Sequence, residues 1–426
     1  MGCSSSKPVA DDSAIMRRRA RGSMAMVGLK TEVAKDAAQA AEATRVDATN
    51  GSVALRLPPG TGLGVRYAYI SQRGYYPDAP DKTNQDGVSA TERLGGQPDL
   101  HLFSVYDGHG ELGTECAQFV RDRLAANVSG QPSFPAAPAA ALSSALILAN
   151  EQLHDSPIDD CLSGTTACCA LLAGRTLHVA NVGDSRAVLC CATPGGLLLA
   201  RDLSQDQTPF RCDECLRVLK AGARVMTLDQ LEGLKDPALP CWTSEEDCDG
   251  DPPRLWSPCG LFPGTAFTRS IGDTAAEDIG VIPDPEMTAT QLGPQHRFAI
   301  LASDGIWEFI SSQQAVDMVA RHDNPYDAAK ALVAQAYKLW LQKETRTDDI
   351  TCVVIFFDHE QDASDMSGGN TTAAAGAAAQ EPTQSTPPQA VEPSSRLALL
   401  RTPSSKQAGA GDAEAVPVAI TASDGS

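Results

Sequence analysis

Phe103-Ser104-Val105-Tyr106-Asp107-Gly108-His109-Gly110 is an apolar, strand-like run that ends abruptly in a carboxylate, a glycine and an imidazole. A strand fixes where Asp107 points, Gly108 lets a main-chain carbonyl approach a cation closely, and His109 is placed to exchange protons beside it. An Asp-Gly pair by itself commonly just closes a turn. The pattern, however, recurs along the chain. Phe298-Ala299-Ile300-Leu301-Ala302-Ser303 runs into Asp304-Gly305-Ile306-Trp307, so a second buried strand delivers a carboxylate followed by glycine. Thr347-Asp348-Asp349 precedes the β-branched run Ile350-Thr351-Cys352-Val353-Val354-Ile355-Phe356-Phe357, and Lys82-Thr83-Asn84-Gln85-Asp86-Gly87 precedes or begins the first core strand. His178 to Leu189 consists of two alternating apolar stretches joined by Gly183-Asp184-Ser185, and it reads as a hairpin.

Each of these aspartates, taken singly, reads as well as a turn former or a helix cap. Taken together, five carboxylates at the ends of apolar strands share a core mouth only if cations neutralise their repulsion. Oxygen donors select hard ions, so Mg²⁺ or Mn²⁺ is the expected occupant, retaining several waters.

Composition frames this core. Residues 1–60 are rich in Ala, Ser and scattered charge without sustained periodicity, and the chain beyond about Asp362 runs through Ser, Gly, Thr, Pro, Gln and Ala. Residues 1–60 and 360–426 are therefore expected to be disordered tails around one large domain at 61–359. The formal charge of −20 over 426 residues argues against a nucleic-acid partner, which needs a surplus of Lys and Arg. Thirteen scattered cysteines and no hydrophobic leader point to reduced thiols in the cytoplasm. Cys212-x-x-Cys215, with Cys241, Cys248 and Cys259 beyond it, lacks the regular spacing and the histidine of a zinc knuckle. Met1-Gly2-Cys3-Ser4-Ser5-Ser6 carries the pattern for acylation of Gly2, with Cys3 beside it for a second acyl group and Arg17, Arg18, Arg19 and Arg21 nearby. No apolar run approaches the ~20 residues that span a bilayer, so the expectation is a cytoplasmic protein held peripherally at a membrane surface.

The aspartate motifs and their order resemble the metal-dependent type 2C Ser/Thr protein phosphatases over about residues 65–357. The matching stretches are Ser71-Gln72-Arg73-Gly74-Tyr75-Tyr76-Pro77, Asn84-Gln85-Asp86, Tyr106-Asp107-Gly108-His109-Gly110, Ser163-Gly164-Thr165-Thr166-Ala167, Asn181-Val182-Gly183-Asp184-Ser185-Arg186, Thr268-Arg269-Ser270-Ile271-Gly272-Asp273, Ala302-Ser303-Asp304-Gly305-Ile306-Trp307 and Asp348-Asp349-Ile350-Thr351. The resemblance implies an α+β fold, a two-layer antiparallel β-sandwich flanked by helices on both sides, with a binuclear metal centre at one end. It implies that Asp107 bridges two metals, that Asp86 and the Gly108 carbonyl serve the first, and that Asp304 and Asp348 serve the second. Asp184 matches a weaker third-metal position, and Asp349 stands where many members have Asn. Gly164, Thr165 and Thr166 are read as core-strand residues without chemistry.

Two departures from that pattern matter. Many members have Glu where this chain has Gln85, which lowers the expected metal affinity. Those members also carry a phosphate-binding arginine about five residues before the position of Asp86, where this chain has Asp81 and Lys82. Arg73 offers a bidentate fork and Lys82 a point charge nearer to Asp86, so both stand as phosphate-binding candidates. The activity implied is hydrolysis of phosphoserine and phosphothreonine in proteins by a metal-bridged hydroxide, with His109 as general acid. The rival reading is a tethered, catalytically weak binding module, against which the intact Asp86, Asp107, His109, Asp304 and Asp348 count. Within the family's variable flap at about 210–268, the stretch 229–251 carries Asp229, Glu232, Asp236, Glu245, Glu246, Asp247, Asp249 and Asp251 against Lys235, which favours phosphoprotein substrates with basic flanks. A monomer is expected.

Overall fold

Long apolar runs broken by Gly and Asp give this chain its strands, and the computed structural model describes residues 49–56, 61–241 and 251–359. In chain order the first strands are β1 (Thr49–Arg56), β2 (Leu63–Gln72), β3 (Asp86–Thr91), β4 (Leu100–His109), β5 (Gly164–Thr165), β6 (Ala167–Ala173), β7 (Thr176–Val182) and β8 (Arg186–Ala192). They are followed by β9 (Leu198–Asp202), β10 (Arg224–Met226), β11 (Arg254–Trp256), β12 (Pro263–Thr265), β13 (Ile271–Gly272), β14 (Glu286–Gln291), β15 (His296–Ala302) and β16 (Ile350–His359). The helices are α1 (Gly113–Ser129), α2 (Pro138–His154), α3 (Cys212–Ala221), α4 (Leu228–Leu231), α5 (Thr274–Glu277), α6 (Asp304–Trp307), α7 (Ser312–Val319) and α8 (Pro325–Lys343).

Two antiparallel sheets form the sandwich. One runs β1-β2-β16-β15-β8-β9; the other runs β13-β5-β4-β6-β7-β14, with β3 paired to β4. β16 is buried from Ile350 through Phe357, as a continuous apolar run requires when both faces of a strand are covered. Between the sheets Val65, Phe103, Val105, Leu172, Val179, Leu301 and Ile355 interdigitate. Outside the first sheet α7 and α8 pack through Val316, Leu332, Val333 and Trp340. Outside the second, α1 and α2 pack through Val120, Leu124, Leu142 and Leu146. The architecture is therefore the helix, sheet, sheet, helix sandwich expected above.

Local signals start the helices where the sequence places them. Ser311 caps α7 reciprocally with Gln314, and Asn324 caps α8 ahead of Pro325 at its first position. Between α3 and β13 the flap has its own small sheet, β10-β11-β12, over Cys215, Val218, Val225 and Leu255.

Three expectations are corrected. His178 to Leu189 is no hairpin, because β7 pairs with β6 and β14 in one sheet while β8 pairs with β15 and β9 in the other. Gly183, at φ 99°, carries the chain across the sandwich, a crossing that has the same alternating pattern as a hairpin. Residues 49–56, counted in the N-terminal tail, form β1 on the edge of the first sheet beside β2. Asp86 opens β3, which follows two earlier strands. The chain divides at Asp365, and its second unit, Met366–Ser426, lies wholly outside the described residues, as do Gly2, Cys3, the Arg17 to Arg21 cluster and Glu245 to Asp249.

Candidate metal centre

Both sheets deliver aspartates to the same end of the sandwich. Asp86 at the start of β3 is the register partner of Asp107 near the end of β4. Asp304 follows β15 as the first residue of α6, Asp348 lies two residues before β16, and Asp184 sits on the crossing between the sheets. The Ser303 hydroxyl donates to Asp86 Oδ2 at 2.8 Å and so ties the first sheet to the second.

The carboxylates crowd one another. Withdrawal from water, then the fields of Asp304, Asp86, Asp348 and Asp184, hold Asp107 well above the usual carboxylate range. Asp304 is raised likewise by burial and by Asp348 and Asp184. Burial and Asp349 push Asp86 to about 8, and burial and Asp206 push Asp184 to about 6. Among the described residues none of these five pairs with an arginine or lysine. Half-buried, mutually repelling, oxygen-only donors without an arginine or lysine partner are what hard divalent cations fit.

The buried layer behind them is built to hold them. Asp107 donates its N–H to Thr166 Oγ1 at 3.0 Å, and Thr166 donates its own N–H to the Asp107 carbonyl at 2.8 Å. Thr166 thus braces the Asp107 main chain, a structural role beside the absence of chemistry expected of it. Asp349 accepts the N–H groups of Gly74 at 2.7 Å and Gln85 at 2.8 Å, which makes it a brace between strands. A Cβ on Gly108 would lie 2.2 Å from the Gly113 carbonyl, and one on Gly305 would lie 2.0 Å from the Asp349 carbonyl. Both Asp-Gly pairs therefore owe their glycine to close main-chain packing. The indole of Trp340 donates to the Gly305 carbonyl at 2.8 Å, anchoring the Asp304 turn to α8.

The two phosphate-binding candidates share one open recess of about 360 Å³ with Pro80, Asp81, Thr83 and Asn84. Arg73 directs its Nε and Nη2 at the carbonyls of Lys82 and Pro80, so it holds the loop. Lys82 Nζ lies 4.0 Å above the Tyr76 ring, and the Tyr76 hydroxyl donates to Asp348 Oδ1 at 2.8 Å. Gln85 donates to the Gly110 carbonyl at 2.8 Å, a bond that the carboxylate of a glutamate cannot make.

His109 ends β4 with its side chain 24% exposed and its Nε2 2.5 Å from Asp273 Oδ2. Burial opposes its charge, but Asp273, Asp184 and the Asp107 carbonyl outweigh it and raise its pKa. Asp273 went unread in the sequence because it follows the short Ile271-Gly272 rather than an apolar strand. The Gly-Asp ending of that motif was its one signal.

A tighter trio of acids, Asp213, Glu214 and Glu286, lies elsewhere. Arg211, Arg217 and Arg269 bind it through side-chain pairs of 2.5–3.3 Å, so its charge is already met by the fold. Part of the flap's acidity is likewise engaged: Asp251 accepts the N–H groups of Leu228 and Asp229 at 3.0 Å, and Lys235 bridges Asp229 and Asp251.

Comparison with known proteins places this architecture. Residues 80–345 match the family model described as "Protein phosphatase 2C". Over 297 residues the chain is 53% identical to "Probable protein phosphatase 2C 35" of Arabidopsis thaliana, covering 70% of this chain and 85% of the relative. It is 36% identical over 296 residues to "Probable protein phosphatase 2C 64" of Oryza sativa subsp. japonica, covering 66% of this chain and 65% of the relative. The crystal structure of serine-threonine phosphatase 2C from Toxoplasma gondii superposes with a TM-score of 0.59 at 21% identity, over 72% of this chain and 99% of that one, a likeness of fold. The chain belongs to the protein phosphatase 2C family. It is an enzyme of that class, a protein-serine/threonine phosphatase.

Proposed function

We propose that the domain hydrolyses phosphoserine and phosphothreonine esters in proteins with Mg²⁺ or Mn²⁺ held by Asp86, Asp107, the Gly108 carbonyl, Asp304 and Asp348. Asp184 offers a weaker third position. The observation that carries the reading is the convergence of aspartates from both sheets with no arginine or lysine paired to them among the described residues. Two bound cations supply Lewis-acid charge and an activated water there.

The chain's own residues do the rest. Lys82, free of the main-chain bonds that occupy Arg73, meets the phosphate at the recess, with Tyr76 linking it to Asp348. His109 gives a proton to the departing serine or threonine oxygen, a poor leaving group, for a gain of about 10² to 10⁴-fold. Release of phosphate from a phosphothreonine peptide should depend on Mn²⁺ or Mg²⁺ and resist okadaic acid; metal-independent turnover refutes the reading. His109→Ala should slow phosphopeptide hydrolysis far more than that of an aryl phosphate, whose leaving group needs less help. Equal losses remove His109 from the role.

Two outer features complete the proposal. The exposed flap acids Glu232 and Asp236 favour phosphosites with basic flanks, and equal kcat/KM for basic-flanked and acidic-flanked peptides would end that idea. Acyl groups on Gly2 and Cys3, supported by the Met1 to Ser6 pattern and the nearby arginines, hold a monomeric cytoplasmic protein at a membrane surface. Undiminished membrane association of Gly2→Ala would count against it.

A further inference from the structure

We propose that Asp273 is the positioning residue of the proton donor, fixing His109 in one ring orientation and one tautomer. The inference rests on the reading of His109 as general acid. Asp273 Oδ2 takes the His109 Nε2–H at 2.5 Å and the Ser270 hydroxyl at 2.6 Å, and the Asp273 side chain is only 2% exposed. Among the described residues no arginine or lysine pairs with this carboxylate, so the imidazole is the basic side chain it meets.

The surroundings determine this placement from several sides. Asp273 has φ 55°, a left-handed conformation uncommon for a side-chain-bearing residue, and its N–H is held by the Ser163 carbonyl at 3.0 Å. A Cβ on Gly164 would stand 2.3 Å from Asp273 Oδ2, so the glycine of Ser163-Gly164-Thr165-Thr166 makes room for the carboxylate. The Phe267 ring lies 4.4 Å from the imidazole, centroid to centroid, and limits its rotation. Phe267, Ser270 and Asp273 all belong to the segment that leaves the flap, which therefore sets the geometry of the acid.

With Nε2–H committed to Asp273, the transferable proton is the one on Nδ1, which the Asp107 main-chain carbonyl also attracts and which leaves that carbonyl for the departing oxygen. As the P–O bond breaks, its electron pair goes to the serine or threonine oxygen, the Nδ1–H bond breaks and an O–H bond forms on the released alcohol. The ring is left neutral with Nε2–H still on Asp273, and it regains a proton from water.

Asp273→Asn is the informative variant, because Asn tolerates left-handed φ as well as Asp does and keeps the shape while removing the charge. Phosphopeptide kcat/KM should fall about 10 to 100-fold, and the loss on an aryl phosphate should be about tenfold smaller. Combined with His109→Ala it should add less than about threefold to the loss from His109→Ala alone, since both variants disable one unit. Equal losses on the two substrates, or losses that multiply, overturn the proposal and leave Asp273 a structural residue. Should His109→Ala itself lose equally on both substrates, the general-acid reading fails first and the inference falls with it. Ring ¹⁵N shifts of His109 in the wild-type protein, above its pKa, provide a check that needs no variant. They should report the Nε2–H tautomer, and an Nδ1–H tautomer overturns the assignment.

Discussion

Glu214 and Asp107 are both acids withdrawn from water in one domain, yet they titrate in opposite directions. Glu214, with a side chain 3% exposed, is opposed by burial but meets Arg269, Arg217 and Thr268, which hold it down at about 2. Asp107, withdrawn from water, lies in the fields of Asp304, Asp86, Asp348 and Asp184, with no arginine or lysine paired to it among the described residues, and is held well above the ordinary range. The first cluster is complete as folded: Arg211, Arg217 and Arg269 join the flap helix α3 to Glu286 and to the strand-like bridge at Arg269. The second is incomplete, and what it lacks is positive charge. Where the fold needs rigidity it supplies both partners; where it needs chemistry it supplies one and leaves the other to a ligand.

Substitutions should break the comparison in opposite senses. Asp107→Asn, which keeps shape while removing one carboxylate from the mouth, should lower kcat by about 10³-fold even in saturating Mn²⁺. In metal-free protein the same change removes repulsion and should raise stability by about 1–2 kcal/mol in urea unfolding. A metal-free domain destabilised by Asp107→Asn would mean that the mouth is not under the strain described. Glu214→Gln should do the reverse, costing about 3 kcal/mol because it strands two guanidinium groups at a buried site. Its activity per folded molecule should stay within a few-fold of wild type. If it leaves the melting temperature unchanged, the arginine brace is decoration.

pH should separate the two clusters in one experiment on chelated protein. Asp86 is raised from 3.8 to about 8, so the metal-free fold is penalised above that value and the penalty lifts as pH falls towards 4. Glu214 is lowered from 4.5 to about 2, so its contribution is full above 4.5 and is lost as pH falls through that window. The melting temperature should therefore rise from pH 8.5 to about 5 and fall below about 4.5. Saturating Mg²⁺ should abolish the rise on the acid side of neutrality, because the ligands are then held ionised. A curve that is flat between pH 8.5 and 5 without metal contradicts the crowding.

What the sequence disclosed follows from the same contrast. Asp107 and Asp304 were legible because an apolar strand running into Asp-Gly is a local pattern, and the sandwich followed from the order of such patterns. The crossing at Gly183 was misread because pairing partners, not residue alternation, distinguish a hairpin from a passage between sheets. Thr166 and Asp273 act through bonds to Asp107 and His109 that span 59 and 164 positions, so their neighbours in the chain do not name those partners, and the Gly-Asp ending at Asp273 is the one local signal. The arginine brace, drawn from residues 211 to 286, was hidden for the same reason.

The smallest expected effect concerns the border between the two kinds of acid. Gln85 lies beside Asp86, its main-chain carbonyl accepts the Gly108 N–H at 3.2 Å, and its side-chain amide donates to the Gly110 carbonyl. It therefore latches the turn that carries His109. Gln85→Glu restores the family's common residue, but it replaces that donor with a second acceptor facing a carbonyl and adds charge to a mouth already short of cations. The metal-free protein should lose about 1–2 kcal/mol, while its apparent Mn²⁺ affinity by calorimetry should rise, since the new carboxylate brings charge to the ion. Stability lost without any gain in Mn²⁺ affinity would show Gln85 to be a latch alone. Unchanged stability would show that the amide bond to Gly110 does not hold the turn.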